Sequence, residues 1–379
     1  MTAERFLSIL FSLSISGSLL FLVWKAAELF MKKRFSRRFQ YVLLLIVVLR
    51  FLLPITPAYS FVGTLYSFIQ STSAYEAILG GPANQPAPPI IVGDNVVIGD
   101  NIVLGRESNN YDQYLLYGWL LIAFFLLVQK WTKYQSFKKY IRSDWRPVER
   151  PEVLDILSTV CEQNNIKGAV ELYVTPLISS PLLLGTNKSC IVLPTDDLTE
   201  GQLYAILSHE MIHYKNKDLI YKWLVQFTIC VHWFNPLVYQ LSKTVNKSCE
   251  YACDEGAIAL MNQEEHYQYG LTLIEMTKSS GTYNEKVASV TLYENANEIK
   301  NRLEAIASKH ERKKRDTFIY LVVTLLMLGI ALALGAHTGK TITTAETEAA
   351  SPIEETWATS SSPKMIEEEL PLGRHFYKK

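Results

Sequence analysis

The chain has 379 residues, and its 37 Lys and Arg residues balance 37 Asp and Glu residues. A net charge of zero gives no reason to expect a nucleic-acid partner. The length would suit two or three soluble domains, but the apolar residues gather in runs long enough to cross a bilayer, which takes about 20 such residues, so the composition indicates a membrane protein.

Four apolar runs each predict a transmembrane helix. The first begins at Phe6, with no basic region before it and no small-residue cleavage site after it, and so indicates a retained helix rather than a signal peptide. The second contains Arg50, a costly charge that usually faces the helix bundle or reaches the interface. The predicted spans are residues 1–31, 41–58, 113–131 and 317–336.

Lysine and arginine residues beside these runs predict the orientation of the chain. Five basic residues crowd the loop 32–40, whereas residues 59–112 hold one, Arg106. Loop 32–40 and residues 132–316 are therefore predicted to be cytoplasmic. Residues 59–112 and the tail 337–379 are predicted to lie outside, as is the amino terminus, and the tail composition predicts disorder.

Cysteine usage agrees with this orientation. All five cysteines fall in the segment assigned to the cytoplasm, and an odd number in a reducing compartment indicates free thiols rather than a disulfide framework. They are Cys161, Cys190, Cys230, Cys249 and Cys253.

Short elements are predicted between the spans. A GDN repeat beginning at Gly93 has too few copies for a solenoid and predicts a small β-hairpin. In the cytoplasmic segment we expect a helix over Arg150–Asn164, strands starting at Glu171 and Ser189, and a short edge strand, Ser180–Gly185, between them.

A further helix is predicted to begin at Thr199, because Thr199 and Gln202 have the spacing of a capping box. It carries the stretch SHEMIHYKNKD, in which His209 and His213 lie one above the other on a helix. Two imidazoles at that spacing can bind one Zn²⁺, and Glu210 can take a proton from the water that zinc activates. The pattern indicates a metallopeptidase, but three fixed letters also occur by chance, so a third ligand and its context must support it.

Four downstream residues are candidates for that third ligand. Asp218 could bind the metal or cap the next helix, and His232, beside two aromatic residues, is more typical of a packed residue. Glu250 and Asp254 are four apart in a predicted helix, so one could bind metal while the other orients a histidine; the alternative is a solvated acidic face. Cys253 lies off that line and is interpreted as a small buried residue rather than a thiolate ligand.

The stretch Tyr221–Leu241 is apolar and aromatic, yet Lys222, His232 and Asn235 interrupt it. We interpret it as helices packed under or into the bilayer surface. A fifth crossing would put Glu250 on the opposite side of the membrane from His209 and is therefore not predicted.

The motifs HEMIHYKNKD, HWFNPLVY and EYACDE, in this order and between membrane helices, resemble those of the BlaR/MecR-type membrane zinc metallopeptidases, a family of antibiotic-sensor signal transducers. The resemblance extends to the end of the fourth span, and the Ste24/HtpX-type membrane proteases are similar more distantly. It implies a mainly α-helical membrane protein with a cytoplasmic α+β zincin-like domain, of the gluzincin type, between spans three and four.

The resemblance also implies roles for individual residues. Zinc would be bound by His209, His213 and Glu250, and Glu210 would be the general base. Asp254 would orient one of the zinc ligands without binding the metal itself. An edge strand beside the active site would bind an extended substrate by strand addition. That strand would consist of Ser180, Pro181, Leu182, Leu183, Leu184 and Gly185.

The resemblance implies a protein of the Gram-positive cell membrane that senses an outside signal and cleaves itself and a cytoplasmic transcriptional repressor. Known members carry a large penicillin-binding domain after the fourth span, whereas in this chain residues 337–379 occupy that position. β-Lactam sensing is therefore not expected. Ser361–Lys364 matches S-x-x-K formally, but Pro363 would disrupt the helix that carries that motif.

Two other functions stay open. A housekeeping protease would trim damaged membrane proteins, and a non-proteolytic receptor would hold zinc structurally, although structural sites normally have four protein ligands and three are convincing here. The connector 280–314 is tethered near the predicted cleft, which favours self-cleavage there as much as a simple helical link. The oligomeric state is open, with a homodimer among the options.

Overall fold

The computed structural model of the chain describes residues 3–31, 34–55, 60–70, 90–92, 95–97, 111–185, 188–278, 296–307 and 314–335. The helices of these ranges are α1 (Ala3–Met31), α2 (Arg37–Leu52), α3 (Phe61–Gln70), α4 (Tyr111–Arg142), α5 (Pro151–Gln163), α6 (Glu200–Asn216), α7 (Asp218–Val231), α8 (Pro236–Ala257), α9 (Gln263–Lys278), α10 (Ala296–Ala307) and α11 (Lys314–Leu334). The strands are β1 (Ile90–Val92), β2 (Asn95–Val97), β3 (Arg146–Pro147), β4 (Glu171–Val174), β5 (Leu182–Leu184) and β6 (Cys190–Leu193).

Three described helices are long and apolar enough to cross a bilayer: Ala3–Met31, Tyr111–Arg142 and Thr317–Leu334 within α11. They coincide with the first, third and fourth predicted spans. The helix at the second predicted span, α2, has 16 residues, which corresponds to about 24 Å. The number of crossings, the orientation and the domain boundaries stay predictions.

Helix α2 lies at the centre of the helical bundle. Its side chains Leu43, Leu44, Val47, Val48 and Phe51 are fully buried. It packs against α1 and also against α8, which carries Glu250. The predicted spans and the predicted peptidase segment therefore share one hydrophobic core, so movement of α2 would act directly on α8.

The three strands predicted in this segment assemble with β3, which was not predicted, into one sheet ordered β3-β4-β6-β5. Strands β4 and β6 are parallel, and β5 runs antiparallel to β6 with Leu182 opposite Val192. Apolar residues of α5 and α6 cover the sheet in a second core. Strand β5 forms the edge predicted over Ser180–Gly185 and contacts α6.

The hairpin predicted at the first GDN, in the segment 59–112, is present. Strands β1 and β2 pair antiparallel, with Val92 opposite Asn95. The second GDN, most of the connector 280–314 and the tail 337–379 lie outside the described residues.

The corner between α7 and α8 lies among the predicted spans. Asn235 donates hydrogen bonds to the hydroxyls of Ser14 and Ser18 on α1, both at 2.8 Å. His232 donates through Nε2 to the Phe51 carbonyl at the end of α2, at 3.0 Å. Because α7 enters this region and α8 leaves it again, the geometry favours a hairpin inserted among the spans over a fifth crossing. His232 is thus packed, as its aromatic surroundings predict.

We expect Asn235→Ala to destabilise the bundle by roughly 1–3 kcal/mol, because it removes the bonds to α1 and the side-chain cap on Leu237 N. The measurement is thermal unfolding of the detergent-purified chain. Asn235→Ser is the matched control, since serine can cap α8 but is too short to reach Ser14 and Ser18. Equal losses from both substitutions would assign the effect to the bonds to α1, and a loss confined to Asn235→Ala would assign it to the cap.

Candidate metal centre

Helix α6 positions the two histidines. The predicted capping box is present: Thr199 Oγ1 accepts from Gln202 N, and Gln202 Oε1 accepts from Thr199 N at 2.9 Å. The helix ends at Lys217, whose φ of 57° is left-handed. With both ends fixed, His209 and His213 face the same neighbour, helix α8.

Helix α8 brings Glu250 to both histidines. Glu250 Oε2 lies 3.3 Å from His209 Nε2 and 3.8 Å from His213 Nε2. The two Nε2 atoms are 3.2 Å apart. Three donor atoms of a tetrahedral zinc site lie about 3.3 Å from one another, as bonds of about 2.0–2.1 Å require. The spacing of the three side chains therefore fits a single zinc ion.

The tautomer of His209 follows from its neighbours. Tyr269 Oη donates to Asp254 Oδ1 at 2.6 Å, so its own proton is engaged. His209 Nδ1, 2.8 Å from the same Oη, must then be the donor. This leaves the lone pair of His209 Nε2 directed toward Glu250 and His213, as a metal ligand requires.

His213 is oriented in the same manner by Asp218. Its Nδ1 lies 2.8 Å from Asp218 Oδ2. The other oxygen, Oδ1, accepts from the hydroxyl of Tyr41 on α2 at 2.9 Å. A continuous chain of hydrogen bonds therefore runs from a helix of the bundle core to one face of His213.

Since both Nδ1 atoms carry protons, three acceptor atoms face each other, and a cation between them would relieve the repulsion. A proton can take the place of that cation. Burial disfavours a charged His209, but hydrogen bonds to Asp254 and Glu250 outweigh it and raise its pKa to about 9. Burial is likewise outweighed at His213 by Glu250, and its pKa lies well above the usual value. Below about pH 9, zinc must displace a proton on binding.

Two cations flank Glu250. Lys222 Nζ lies 3.6 Å from Oε1, and Arg302 Nη1 lies 3.8 Å from Oε2. Burial alone would raise the pKa of Glu250, but His213 and Lys222 hold it well below the usual value. The carboxylate therefore stays ionised and available to a metal.

Asp254 lies behind His209. It receives two hydrogen bonds from Arg302, Nε to Oδ2 at 2.8 Å and Nη2 to Oδ1 at 2.7 Å. Burial would raise its pKa, but Arg302 and His209 hold it far below the usual range. The carboxylate lies 3.3 Å from His209 Nδ1, close enough to orient that ring, and its supporting role stays a prediction.

The remaining predicted residues occupy separate places. Glu210 is 8% exposed and follows His209 on α6. Asp218 begins α7 without capping it, and its contacts lead to His213 Nδ1 rather than to Nε2. Cys253 is buried, but its sulfur lies 3.2 Å from His213 Nδ1. Cys253 is therefore a small buried residue that also lies beside the candidate metal centre.

Four residues at this site carry no sequence signal that selects them: Tyr41, Lys222, Tyr269 and Arg302. Tyr269 and Arg302 lie on α9 and α10, which come after the motif-bearing helices. The distances in sequence from Tyr269 and Arg302 to the motif residues match no metal-binding motif. Two buried carboxylates, Glu250 and Asp254, require a cationic partner, but the sequence does not indicate which Lys or Arg residue supplies it.

Comparison with known proteins agrees with this geometry. Residues 8–306 match the family model described as BlaR1 peptidase M56. The chain is 27% identical over 218 residues to the regulatory protein BlaR1 of Bacillus licheniformis, covering 57% of this chain and 36% of that protein. It is 31% identical over 168 residues to the methicillin resistance mecR1 protein of Staphylococcus aureus, covering 42% and 28%. The matches thus span 28–36% of the length of these relatives.

Proposed function

The chain belongs to the BlaR1 peptidase M56 family, and from that membership we propose that it is a membrane zinc endopeptidase of a signal-transduction circuit. The observation that carries the proposal is the convergence of His209 Nε2, His213 Nε2 and Glu250 Oε2 within 3.2–3.8 Å. The regulatory part rests on relatives named as a regulatory protein and a methicillin resistance protein. Its proposed substrates are its own chain and a cytoplasmic transcriptional repressor.

The proposed chemistry assigns one task to each side chain. Zinc held by His209, His213 and Glu250 would polarise the scissile carbonyl and lower the pKa of water. Glu210 takes a proton from the attacking water and returns it to the leaving amine. Tyr269 and Asp218 hold the Nδ1 protons, so both imidazoles keep Nε2 directed at the centre.

The edge strand β5 is the proposed substrate-binding element. It pairs with β6 on one side and contacts α6, which carries the histidines. An extended peptide could add to its outer side through main-chain hydrogen bonds, while Ser180–Gly185 fixes the register. The peptide would then run past Glu210.

The test compares the wild-type chain, tagged at both ends in membranes, with Glu210→Gln. Fragments that appear with wild type and vanish with Glu210→Gln or a zinc chelator support the proposal. Glu200→Gln, at the start of the same helix, is the matched control and should leave the fragments unchanged. Identical fragments with and without Glu210 would contradict the proposed peptidase function. It would also be contradicted if the wild-type chain stayed intact in membranes and, after purification, failed to hydrolyse an unfolded protein. Broad cleavage of unrelated membrane proteins would favour the housekeeping role.

We expect Asp218→Asn to weaken zinc binding about 10–100-fold, because a partner that orients a ligating histidine loses its charge. Competition with a chromophoric chelator measures the effect. Tyr41→Phe is the control: it removes one hydrogen bond to the same carboxylate and leaves the bond to His213, so its effect should be several-fold smaller. If Asp218→Asn left the zinc affinity unchanged, Asp218 would not be needed to orient His213 for metal binding.

A further inference from the structure

Three potential metal ligands surround the Nδ1 atom of His213 and form a cluster of four with it, on the side of the ring away from Nε2. Asp218 comes from the start of α7, and Cys249 and Cys253 come from successive turns of α8. All four side chains are buried, and the two cysteines are fully inaccessible. Helix α8 thus carries two parallel stripes: Glu250 and Asp254 face His209, while Cys249 and Cys253 face the back of His213.

The donor atoms of this cluster are close enough to share one ion. All of them lie within 4.8 Å of one another. Cys253 Sγ is 3.2 Å from both His213 Nδ1 and Asp218 Oδ2, and Cys249 Sγ is 3.7 Å from His213 Nδ1. Tetrahedral zinc with bonds of about 2.0–2.3 Å spaces its ligands about 3.3–3.8 Å apart. To admit the ion, the shortest pair, His213 Nδ1 and Asp218 Oδ2 at 2.8 Å, would have to open by about 0.5 Å, and the more distant donor atoms would have to close around it.

We propose that Cys249, Cys253, Asp218 and Nδ1 of His213 form a second metal site, for a thiophilic divalent cation such as zinc or cadmium. Two thiolates select such ions over magnesium or calcium. Four protein ligands in a buried position are the arrangement of a closed, structural site rather than a catalytic one. The bond from Tyr41 to Asp218 Oδ1 supports the carboxylate ligand from outside, as metal sites commonly require.

Two hydrogen bonds of this cluster converge on one carboxylate oxygen. Asp218 Oδ2 receives both the His213 N–H and the Cys253 thiol proton, while the Cys249 sulfur stands at a weak 3.7 Å from Nδ1. A cation would replace these protons and neutralise part of three buried anionic groups.

The proton balance is explicit. On binding, the two thiols release one proton each, and His213 releases the Nδ1 proton that it donates to Asp218, so that Nδ1 can bind the ion while the ring keeps a proton on Nε2. When the proposed zinc centre is filled as well, His213 loses that proton too and bridges the two ions as imidazolate. Occupancy of the second site would replace the hydrogen bond from His213 to Asp218. A second ion would therefore change the affinity of the first centre through their shared ligand.

Cobalt spectroscopy of the full-length, metal-free chain tests the proposal, because sulfur-to-cobalt charge transfer reports thiolate ligands and the His209 centre has none. Wild type should bind two equivalents and show the charge-transfer band. His209→Ala should keep the band and lose one equivalent. The double variant Cys249→Ser with Cys253→Ser should lose the band and keep one equivalent, and Cys230→Ser, a buried cysteine on α7, should match wild type.

Absence of the band in wild type, or its persistence in the double variant, would overturn the second site. If the double variant fails to fold, wild type and His209→Ala still decide, since both must show the band. The proposed peptidase centre fails separately: a folded double variant that binds no cobalt would argue against the His209 centre and leave the thiolate site standing.

Discussion

Replacement of Glu250 by glutamine is expected to remove most of the zinc affinity and, with it, all zinc-dependent cleavage. The donor atoms of His209, His213 and Glu250 converge, and Glu250 is the carboxylate among these three residues. Structural zinc sites with four ligands bind with about 10–16 kcal/mol, so one anionic ligand corresponds to roughly 3 kcal/mol, or about 100-fold in affinity. The substitution also leaves Lys222 and Arg302 without the negative charge they flank.

Metal content by mass spectrometry and chelator competition would measure this loss, with self-cleavage followed in parallel. Glu255→Gln is a control on the same helix, because its amide oxygen can still accept from Arg38 N. The double variant of Cys249 and Cys253 provides a background in which zinc bound elsewhere does not obscure the result. If Glu250→Gln retained wild-type affinity in that background, Glu250 would not be a ligand.

Local sequence signals predicted the parts of the site that depend on local structure. The capping box at Thr199 and the four-residue spacing of His209 and His213 act within one helix, so α6 could be predicted with its facing residues. The spacing of Glu250 and Asp254 acts in the same manner within α8. The strands β4, β5 and β6 were predicted because apolar and β-branched residues between turn residues form strands in most contexts.

Contacts between distant segments could not be predicted in this way. Asp218 reaches His213 because Lys217 adopts a left-handed conformation and turns the chain, which a lysine in the sequence does not predict. Tyr41 reaches Asp218 across 177 positions in sequence. Tyr41 lies in an apolar run, which predicts a membrane span and gives no indication that its hydroxyl contacts Asp218.

Helix α2 illustrates the same limit at the level of the fold. Its apolar sequence predicts burial but does not distinguish lipid from protein as the surroundings. The structure surrounds it with α1 and α8, so that Leu43, Val47 and Phe51 contact protein. A peptidase segment predicted as a separate cytoplasmic domain is thereby joined to the bundle core.

Breaking the pair of Arg302 and Asp254 is the second change with a large expected effect. Arg302→Met would leave the Asp254 carboxylate buried without its two charged hydrogen bonds, and removal of one partner from a buried pair costs about 3–5 kcal/mol. The expected result is a large drop in thermal stability, together with weaker orientation of His209 through Asp254. Unfolding should be measured with a chelator present, so that bound zinc does not add to the stability of either chain.

A double-mutant cycle with Asp254→Asn separates the pair from its surroundings. In the double variant neither charge is left unpaired, so its loss should fall short of the sum of the single losses by roughly 0.5–3 kcal/mol. Lys300→Met, an exposed residue on the same helix, should change stability little. Strict additivity would mean that Asp254 is stabilised chiefly by Tyr269 and His209. Coupling of the expected size would mean that α10 stabilises the metal centre directly, because Arg302 on α10 also lies 3.8 Å from Glu250. Helix α10 precedes α11 in the chain. Displacement of α10 would then withdraw one guanidinium from both carboxylates of α8 at once.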